Sequence, residues 1–145
     1  MTEVEREGQI RSILVPVDGS QSSRRAVRLA AEMALAFDAE LTLLHVESIE
    51  GFPTLIAEAN TAQGDEEAEL VLGENAKIAR GLGIEPNVVL RRGAIASQIL
   101  RFVAVRRPDL LVMGTRGLTR AKGVLMGSVS QAVSRRAKSQ VVLVR

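Results

Sequence analysis

Residues 109–129 read DLLVMGTRGLTRAKGVLMGSV: an apolar run, a glycine-rich connection and a Gly-Ser pair. The run 110–113 is short and continuously apolar, as expected of a strand that is covered on both faces. The pair Gly127-Ser128 precedes a segment of helical spacing, and both residue types are common where helices begin. The stretch therefore predicts a strand, a loop and a helix in succession, the repeating part of a βαβ unit.

The same alternation extends along the rest of the chain. We predict strands at 12–17, 41–46, 87–90, 110–113 and 141–144. We predict helices at about 22–37, 65–82, 96–106 and 128–138. The segment 47–64 has no single period and is predicted as a loop with a short helical turn at most. Strands that alternate with amphipathic helices indicate an α/β fold with a parallel sheet.

The length of 145 residues fits one domain. We expect a disordered N-terminal tail at 1–11 and a single domain at 12–145, since no linker or repeat interrupts the chain. The polar N-terminus does not resemble a signal peptide, and no apolar run has the roughly 18 residues that a membrane helix needs. We therefore expect a cytoplasmic protein that has no membrane partner.

The composition excludes several kinds of site. The chain has no cysteine and one histidine, which excludes disulfides, thiolate chemistry, sulfur-based zinc sites and His-rich metal clusters. Only three aromatic residues are present, which weakens the case for base stacking, and the absence of a nucleic-acid reading motif also argues against binding of nucleic acid. The lone His45, at the end of the second strand, is more often a packed or solvated residue than a catalytic one.

The net charge of +2 hides a strong asymmetry. Residues 1–72 contain 5 basic and 14 acidic side chains, a net −9, whereas residues 73–145 contain 14 and 3, a net +11. An anionic ligand is one explanation. Only Arg116, Arg120 and Lys122 lie on the glycine-rich loop. The basic residues near 135–138 are also expected opposite the negative end of a helix dipole.

The glycine-rich connection is suited to phosphate. Gly114, at the strand end, lets the chain turn and lets a ligand approach the backbone. Gly127 and Ser128 begin a helix, whose free N–H groups and positive dipole end favour an anion. The same residues also serve as ordinary turn and cap residues, and this reading stays open. The spacing matches neither a Walker A loop nor G-x-G-x-x-G.

The first strand ends in Pro16-Val17-Asp18-Gly19-Ser20. A carboxylate at the carboxyl end of a central strand lies where open α/β sheets bind ribose or a metal-bound water. The alternative is an Asx turn or helix cap made with Gly19 and Ser20. If the first and fourth strands are neighbours, Asp18 and Gly114 meet at one crevice.

These residues resemble the universal stress protein family over nearly the whole chain from about Ile10. The resemblance is carried by VPVDGS, LHV, DLLVMG and G-x2-G-x9-G-S, realised as Gly114, Gly117, Gly127 and Ser128. It implies a Rossmann-like open five-stranded parallel sheet in the order 3-2-1-4-5, with helices on both faces. It also implies the ATP-binding branch of the family, with Mg2+ bridging the phosphates.

The resemblance implies roles for individual residues. Those expected on the adenosine side are Pro16, Val17, Asp18, Val46, Met113 and Gly114. Those expected at the phosphates are Arg116, Gly117, Gly127, Ser128 and Val129. No catalytic residue and no protein metal ligand is assigned. On this reading we expect Gly114→Val or Gly127→Val to abolish nucleotide binding with the fold retained.

The family often dimerises through its fifth strand, so the resemblance implies a homodimer at 141–144. Members commonly have a proline before this strand where this chain has Gln140. The function implied is a nucleotide-dependent regulatory homodimer in stress response, with an unknown protein partner. A slow ATPase or other nucleotide hydrolase, or a binder of AMP or a cyclic nucleotide, are the alternatives. Enzymatic activity is the weaker reading, because Asp18 is the only candidate general base near the glycines.

Overall fold

The computed structural model describes residues 8–48, 61–116 and 126–145, with the backbone alone at 61–65. The strands are β1 (Ser12–Pro16), β2 (Glu40–Glu47), β3 (Asn87–Arg92), β4 (Leu110–Gly114) and β5 (Gln140–Val144). The helices of the described residues are α1 (Gln21–Phe37), α2 (Thr61–Gly81), α3 (Ile95–Arg106) and α4 (Ser128–Arg136). All nine elements that the sequence predicts are present.

The five strands form one parallel sheet in the order β3-β2-β1-β4-β5. β1 lies at the centre, where Ile13 is opposite Leu41 on one side and Leu110 on the other. The predicted strand order is confirmed. The order reverses at β1 and β4, since the chain leaves β1 toward β2 and β3 and later returns on the other side. An open sheet of this kind binds its ligands where such a reversal separates the carboxyl ends.

Apolar residues pack on both faces of the sheet. One buried cluster joins the sheet to α1 and α2 through residues such as Ala30 and Ala76. The other joins it to α3 and α4 through residues such as Ile99 and Val133. Because both faces are covered, the central strands are apolar without alternation. The prediction of helices on both faces is therefore confirmed.

Two helix boundaries differ from prediction by more than one residue. α2 begins at Thr61, four residues earlier than predicted, so Asp65, Glu66 and Glu67 lie inside the helix and not at its start. Ala62 and Gln63 are good helix formers, and one glycine costs about 1 kcal/mol, so a turn forms ahead of the acidic cluster. α4 ends at Arg136, because Ala137 takes the extended conformation (φ −66°, ψ 133°). The remaining boundaries agree within the usual one or two residues.

The predicted N-terminal tail includes residues that the structure holds in place. Residues 1–7 lie outside the described part of the chain. The backbone N–H of Arg11 donates to Asp109 Oδ2 at 2.9 Å, and the Arg11 carbonyl accepts from Glu40 N at 2.8 Å. Both backbone groups of Arg11 therefore have partners in the fold, at the end of the predicted tail.

Two other predictions lie partly outside the described residues. Of the predicted loop at 47–64, residues 49–60 lie outside, and 61–64 belong to α2. Across 8–48, 61–116 and 126–145, the structure contains no helix whose length and apolar character suit a membrane crossing.

Candidate functional site

The carboxyl ends of β1, β2 and β4 surround a cleft of ≈ 530 Å³. Its lining contains every predicted site residue that the structure describes. These are Pro16, Val17, Asp18, Val46, Met113, Gly114, Arg116, Gly127, Ser128 and Val129. Gly117, predicted beside them, lies outside the described residues, as do Arg120 and Lys122. Residues that are up to 113 positions apart in sequence therefore meet at one edge of the sheet.

Asp18 organises the connection from β1 to α1. Its Oδ1 accepts a hydrogen bond from Ser20 N at 2.8 Å, and its own N–H donates to Ser23 Oγ at 3.1 Å. Ser20 is the N-cap of α1, since its Oγ accepts from Ser23 N at 3.2 Å. The Asx-turn interpretation of Asp18 is therefore correct. The same half-buried carboxylate lines the cleft, so a turn role and a place at the site coexist.

His45 holds the other side of this connection. Its Nδ1 lies 2.8 Å from the Val17 carbonyl oxygen, and Val17 N donates to Leu44 O at 2.8 Å. A carbonyl oxygen only accepts, so Nδ1 carries the proton in this contact. The peptide groups of Val17 are thus fixed by two residues of β2. The sequence predicted His45 as a packed or solvated residue and did not predict that it positions Val17. The only sequence signal for this contact was the place of His45 at a strand end.

Gly114 lies where β4 meets the first turn of α1. A Cβ at this position would lie 2.8 Å from the carbonyl carbon of Ser22 and 2.9 Å from the backbone nitrogen of Ser23. Real Cβ atoms do not approach backbone so closely, so a larger residue would push β4 and α1 apart. The expectation that Gly114→Val leaves the fold intact is therefore wrong. Gly114 is required by packing, whatever it offers a ligand.

The residues on either side of 117–125 are fixed to the rest of the fold. Ser22 Oγ donates to the Arg116 carbonyl at 2.5 Å and accepts from Arg116 N at 3.3 Å. Gly127 N donates to Thr115 O at 2.6 Å, and Thr115 N donates to Val144 O at 2.8 Å. Strands β4 and β5 and the start of α1 thus hold Thr115, Arg116 and Gly127 in place beside the cleft.

The first turn of α4 faces the cleft. Its N-cap is Gly127 (φ −69°, ψ 159°), which offers no side-chain hydrogen bond, so Ser128 is the first helical residue and not the cap. The Ser128 side chain is exposed at the cleft, whereas Ser130 Oγ donates to Gly114 O at 2.7 Å. The first N–H groups of an uncapped helix suit an anion.

Carboxylates line the opposite side of the cleft. Glu47 and Glu67 contribute to its lining, and Glu47 Oε2 pairs with Arg92 Nε at 2.9 Å. Within the described ranges, no three His, Cys, Asp or Glu residues are grouped as a metal site. The cleft therefore combines acidic groups near β2 and α2 with a helix N-terminus and Arg116 near β4.

The structure adds lining residues to which the sequence analysis gave no part in ligand binding. They are Ser20, Ser23, Leu44, His45, Glu47, Ser48, Glu67, Ile95, Ile99 and Ser130. Ser20 and Ser23 had a sequence signal, because serines shortly after a strand and before a segment of helical spacing are typical of a helix cap. Ile95 and Ile99 had none beyond helical spacing, since α3 approaches the cleft only through tertiary packing.

Comparison with known proteins agrees with this architecture. A solved universal stress protein, UspA from Lactobacillus plantarum, superposes with a TM-score of 0.81 at 23% identity, covering 96% of this chain and 100% of its own. At that identity the likeness shows the fold alone. A universal stress protein solved in complex with cAMP has a TM-score of 0.76 at 28% identity, covering 95% of this chain and 99% of its own.

Sequence comparison gives the family. Universal stress protein MJ0531 of Methanocaldococcus jannaschii is 32% identical over 143 residues, which cover 96% of this chain and 84% of that protein. The model of the universal stress protein family matches residues 9–145. The chain therefore belongs to the universal stress protein family.

Proposed function

We propose that this universal stress protein binds an adenine nucleotide, with Mg2+-ATP as the first candidate, and acts in the cytoplasm as a nucleotide-dependent regulatory homodimer in stress response. The supporting observation is the cleft, in which ten residues that the family resemblance implies line one volume of ≈ 530 Å³. Sites for small ligands commonly enclose about 300–1,000 Å³.

The cleft has an apolar side and an anion-binding side. Leu44, Val46 and Met113 are buried apolar residues of β2 and β4 that would contact a base and ribose. The uncapped first turn of α4, with the Ser128 hydroxyl and Arg116, would receive the phosphates. Each hydrogen bond to a charged oxygen contributes about 1.5–3 kcal/mol, so three or four suffice for micromolar affinity, about 8 kcal/mol.

The related protein solved with cAMP supports an adenine nucleotide as the ligand class. That structure does not favour a triphosphate over a monophosphate. Backbone N–H groups bind a phosphate group whatever the number of phosphates attached to it. AMP and cyclic AMP are therefore tested beside ATP. Since the described residues include no cluster of three metal-ligating side chains, Mg2+ would be held mainly by phosphate oxygens and water.

A matched pair of variants at Gly127 tests the phosphate end. The conformation of Gly127 (φ −69°, ψ 159°) is open to every L residue, and Asn and Asp are favoured N-cap residues, so we expect Gly127→Asn and Gly127→Asp to change helix stability by a few tenths of a kcal/mol. Only the aspartate brings a negative charge to the phosphates. We expect Gly127→Asp to weaken ATP binding by about tenfold or more relative to Gly127→Asn, measured by isothermal titration calorimetry.

Two results would contradict the proposal. If wild-type protein gives no heat with ATP, ADP, AMP or cyclic AMP at millimolar concentration with Mg2+, it is not a nucleotide-binding protein. Equal affinities for ATP in the two Gly127 variants would show that the phosphates do not bind at the start of α4. Mass spectrometry of molecules that co-purify with the protein would identify the natural ligand directly.

Hydrolysis is the second candidate activity. Asp18 lines the cleft, but its Oδ1 already accepts from Ser20 N, which favours a structural role. An asparagine keeps an acceptor oxygen for this turn and removes the charge. Turnover of ATP above background that is lost in Asp18→Asn with binding retained would establish a hydrolase.

A further inference from the structure

A second cavity lies at the opposite end of the sheet from the cleft. It has a volume of ≈ 620 Å³ and is formed where α3 and α4 end and where β4 and β5 begin. It shares no lining residue with the cleft. The proposed nucleotide function makes no use of it.

The floor of this cavity is apolar and belongs to the protein core. Val103 is buried, and Leu100 and Ala137 pack beside it in the cluster that joins α3 and α4 to the sheet. Pro108 is buried between the two helix ends, and its carbonyl accepts a hydrogen bond from Ser139 Oγ at 2.7 Å. This contact joins the connection before β4 to the connection before β5, so the two walls of the cavity are held at a fixed separation.

The rim of the cavity is positively charged. Arg107, Arg136 and Lys138 are exposed lining residues, and none takes part in an ion pair with another described residue. The one carboxylate of the lining is Asp109, whose Oδ2 accepts from Arg11 N at 2.9 Å, Ser12 N at 3.1 Å and Ser12 Oγ at 3.3 Å. Its charge is thus engaged by the start of β1, and no carboxylate in the described part of the chain forms an ion pair with the rim cations.

We propose that this cavity is a second ligand site, which takes an organic acid with an apolar body and a single carboxylate. An apolar floor with convergent charged groups at its edge is the usual form of a small-molecule site. The apolar body fills the space above Val103 and Ala137, and the carboxylate meets the rim cations. A neutral compound of the same shape lacks the second interaction, and a cationic one is repelled.

Replacing Arg107 tests the proposal, because it should raise the thermal stability of the protein and lower its affinity for the acid. Arg107 ends α3 in the left-handed conformation (φ 47°), where glycine is the preferred residue. Arg107→Gly should therefore raise the thermal midpoint by about 2–4 °C while it weakens binding of the acid about two- to fivefold. Asp38 ends α1 in the same conformation (φ 54°) and is not part of the cavity lining, so Asp38→Gly is the matched control.

The probe is octanoate, compared with 1-octanol and octylammonium, each titrated by NMR and followed at the backbone amides of Ala104, Ala137 and Ser139. We expect octanoate to bind at least fivefold more tightly than 1-octanol, and octylammonium to bind most weakly. Asp38→Gly should bind octanoate as tightly as wild type. Arg136→Gln combined with Lys138→Gln should lower the affinity for octanoate about tenfold.

Equal binding of the three probes, or shifts confined to the cleft residues near Asp18 and Ser128, would overturn the proposal. So would an Arg107→Gly protein that is more stable and binds octanoate as wild type does. Because the cavity and the cleft share no residue, these results are independent of whether nucleotide binds.

Discussion

At the scale of single residues, Gly114 is the position where packing leaves the least freedom. Gly114→Ala places a Cβ 2.8–2.9 Å from the backbone of Ser22 and Ser23. We expect this overpacking to lower the free energy of unfolding by about 1–3 kcal/mol, measured by urea denaturation of nucleotide-free protein. The matched control is Gly73→Ala, inside α2, where a Cβ meets nothing within 4 Å.

Gly73→Ala should instead raise the free energy of unfolding by about 0.5–1 kcal/mol, because alanine is the better helix former. Gly114→Ala that is as stable as wild type would contradict the contact between β4 and α1. The comparison also separates structural from ligand effects, since any loss of nucleotide affinity in Gly114→Ala would accompany a measurable change of fold stability.

The ion pair of Arg80 and Glu85 has a predictable pH dependence. Arg80 Nε lies 2.8 Å from Glu85 Oε2, and this hydrogen bond, aided by the charge of Arg80, holds the pKa of the Glu85 carboxyl below its ordinary value. A carboxyl whose pKa is lower in the folded protein than in the unfolded chain stabilises the fold at pH values above its unfolded pKa. This stabilisation is lost as the pH falls through its folded pKa. NMR titration should give Glu85 a pKa below the range of an exposed glutamate. In Arg80→Gln, the pKa of Glu85 should lie within that range.

At the scale of elements, the start of α1 depends on one cap. Ser20 Oγ accepts from Ser23 N, and Ser20 is buried. Ser20→Ala should lower the free energy of unfolding by about 1 kcal/mol, again by urea denaturation. Ser134→Ala is the control, because Ser134 Oγ bonds within α4 to Gln131 O and should change stability by less than about 0.5 kcal/mol. Equal effects of the two substitutions would mean that Ser20 is not a working cap.

The ends of α3 and α4 show why charge patterns need a structure. Arg136 and Lys138 lie at the end of the predicted fourth helix, where positive charge is favourable, and this explanation is sufficient from the sequence. In the fold, Arg107 from a distant connection joins them at one cavity. The helix dipole and the second ligand site therefore use the same charges.

At the scale of the whole molecule, the two edges of the sheet differ in their proposed use. We propose that β5 pairs with its copy in a homodimer, while β3 remains an outer edge. Leu143 on β5 is 38% exposed and Val88 on β3 is 50% exposed, so a lysine at either position is tolerated by the monomer fold. We expect Leu143→Lys to be monomeric and Val88→Lys to be dimeric in light scattering at micromolar concentration, since a charge at an edge blocks strand pairing.

A monomeric wild-type protein would contradict the homodimer, and a monomeric Val88→Lys protein would assign the interface to β3. The family resemblance led us to expect a proline before the last strand; here Gln140 stands there and pairs with Leu110. The start of β5 is thus set by the sheet and does not require that proline.

The sequence by itself determined the element types, because their signals are local. Apolar runs, helical periodicity and cap residues depend on neighbours within a few positions, so the predicted strands and helices are present with shifts of a few residues. The candidate site residues came from the resemblance to a family, which is carried by Asp18 and by the glycines after the first and fourth strands.

Tertiary structure alone decided what depends on distant contacts. The close approach of Gly114 to Ser22, the hydrogen bond from His45 to Val17 and the meeting of Arg107 with Lys138 each join residues that are 28 or more positions apart, or that belong to different elements. Such contacts are fixed by how helices and strands pack, and packing responds to the shape of the whole core and not to any local period. The sequence therefore specified the parts and their chemistry, and the packed fold decided which of them meet.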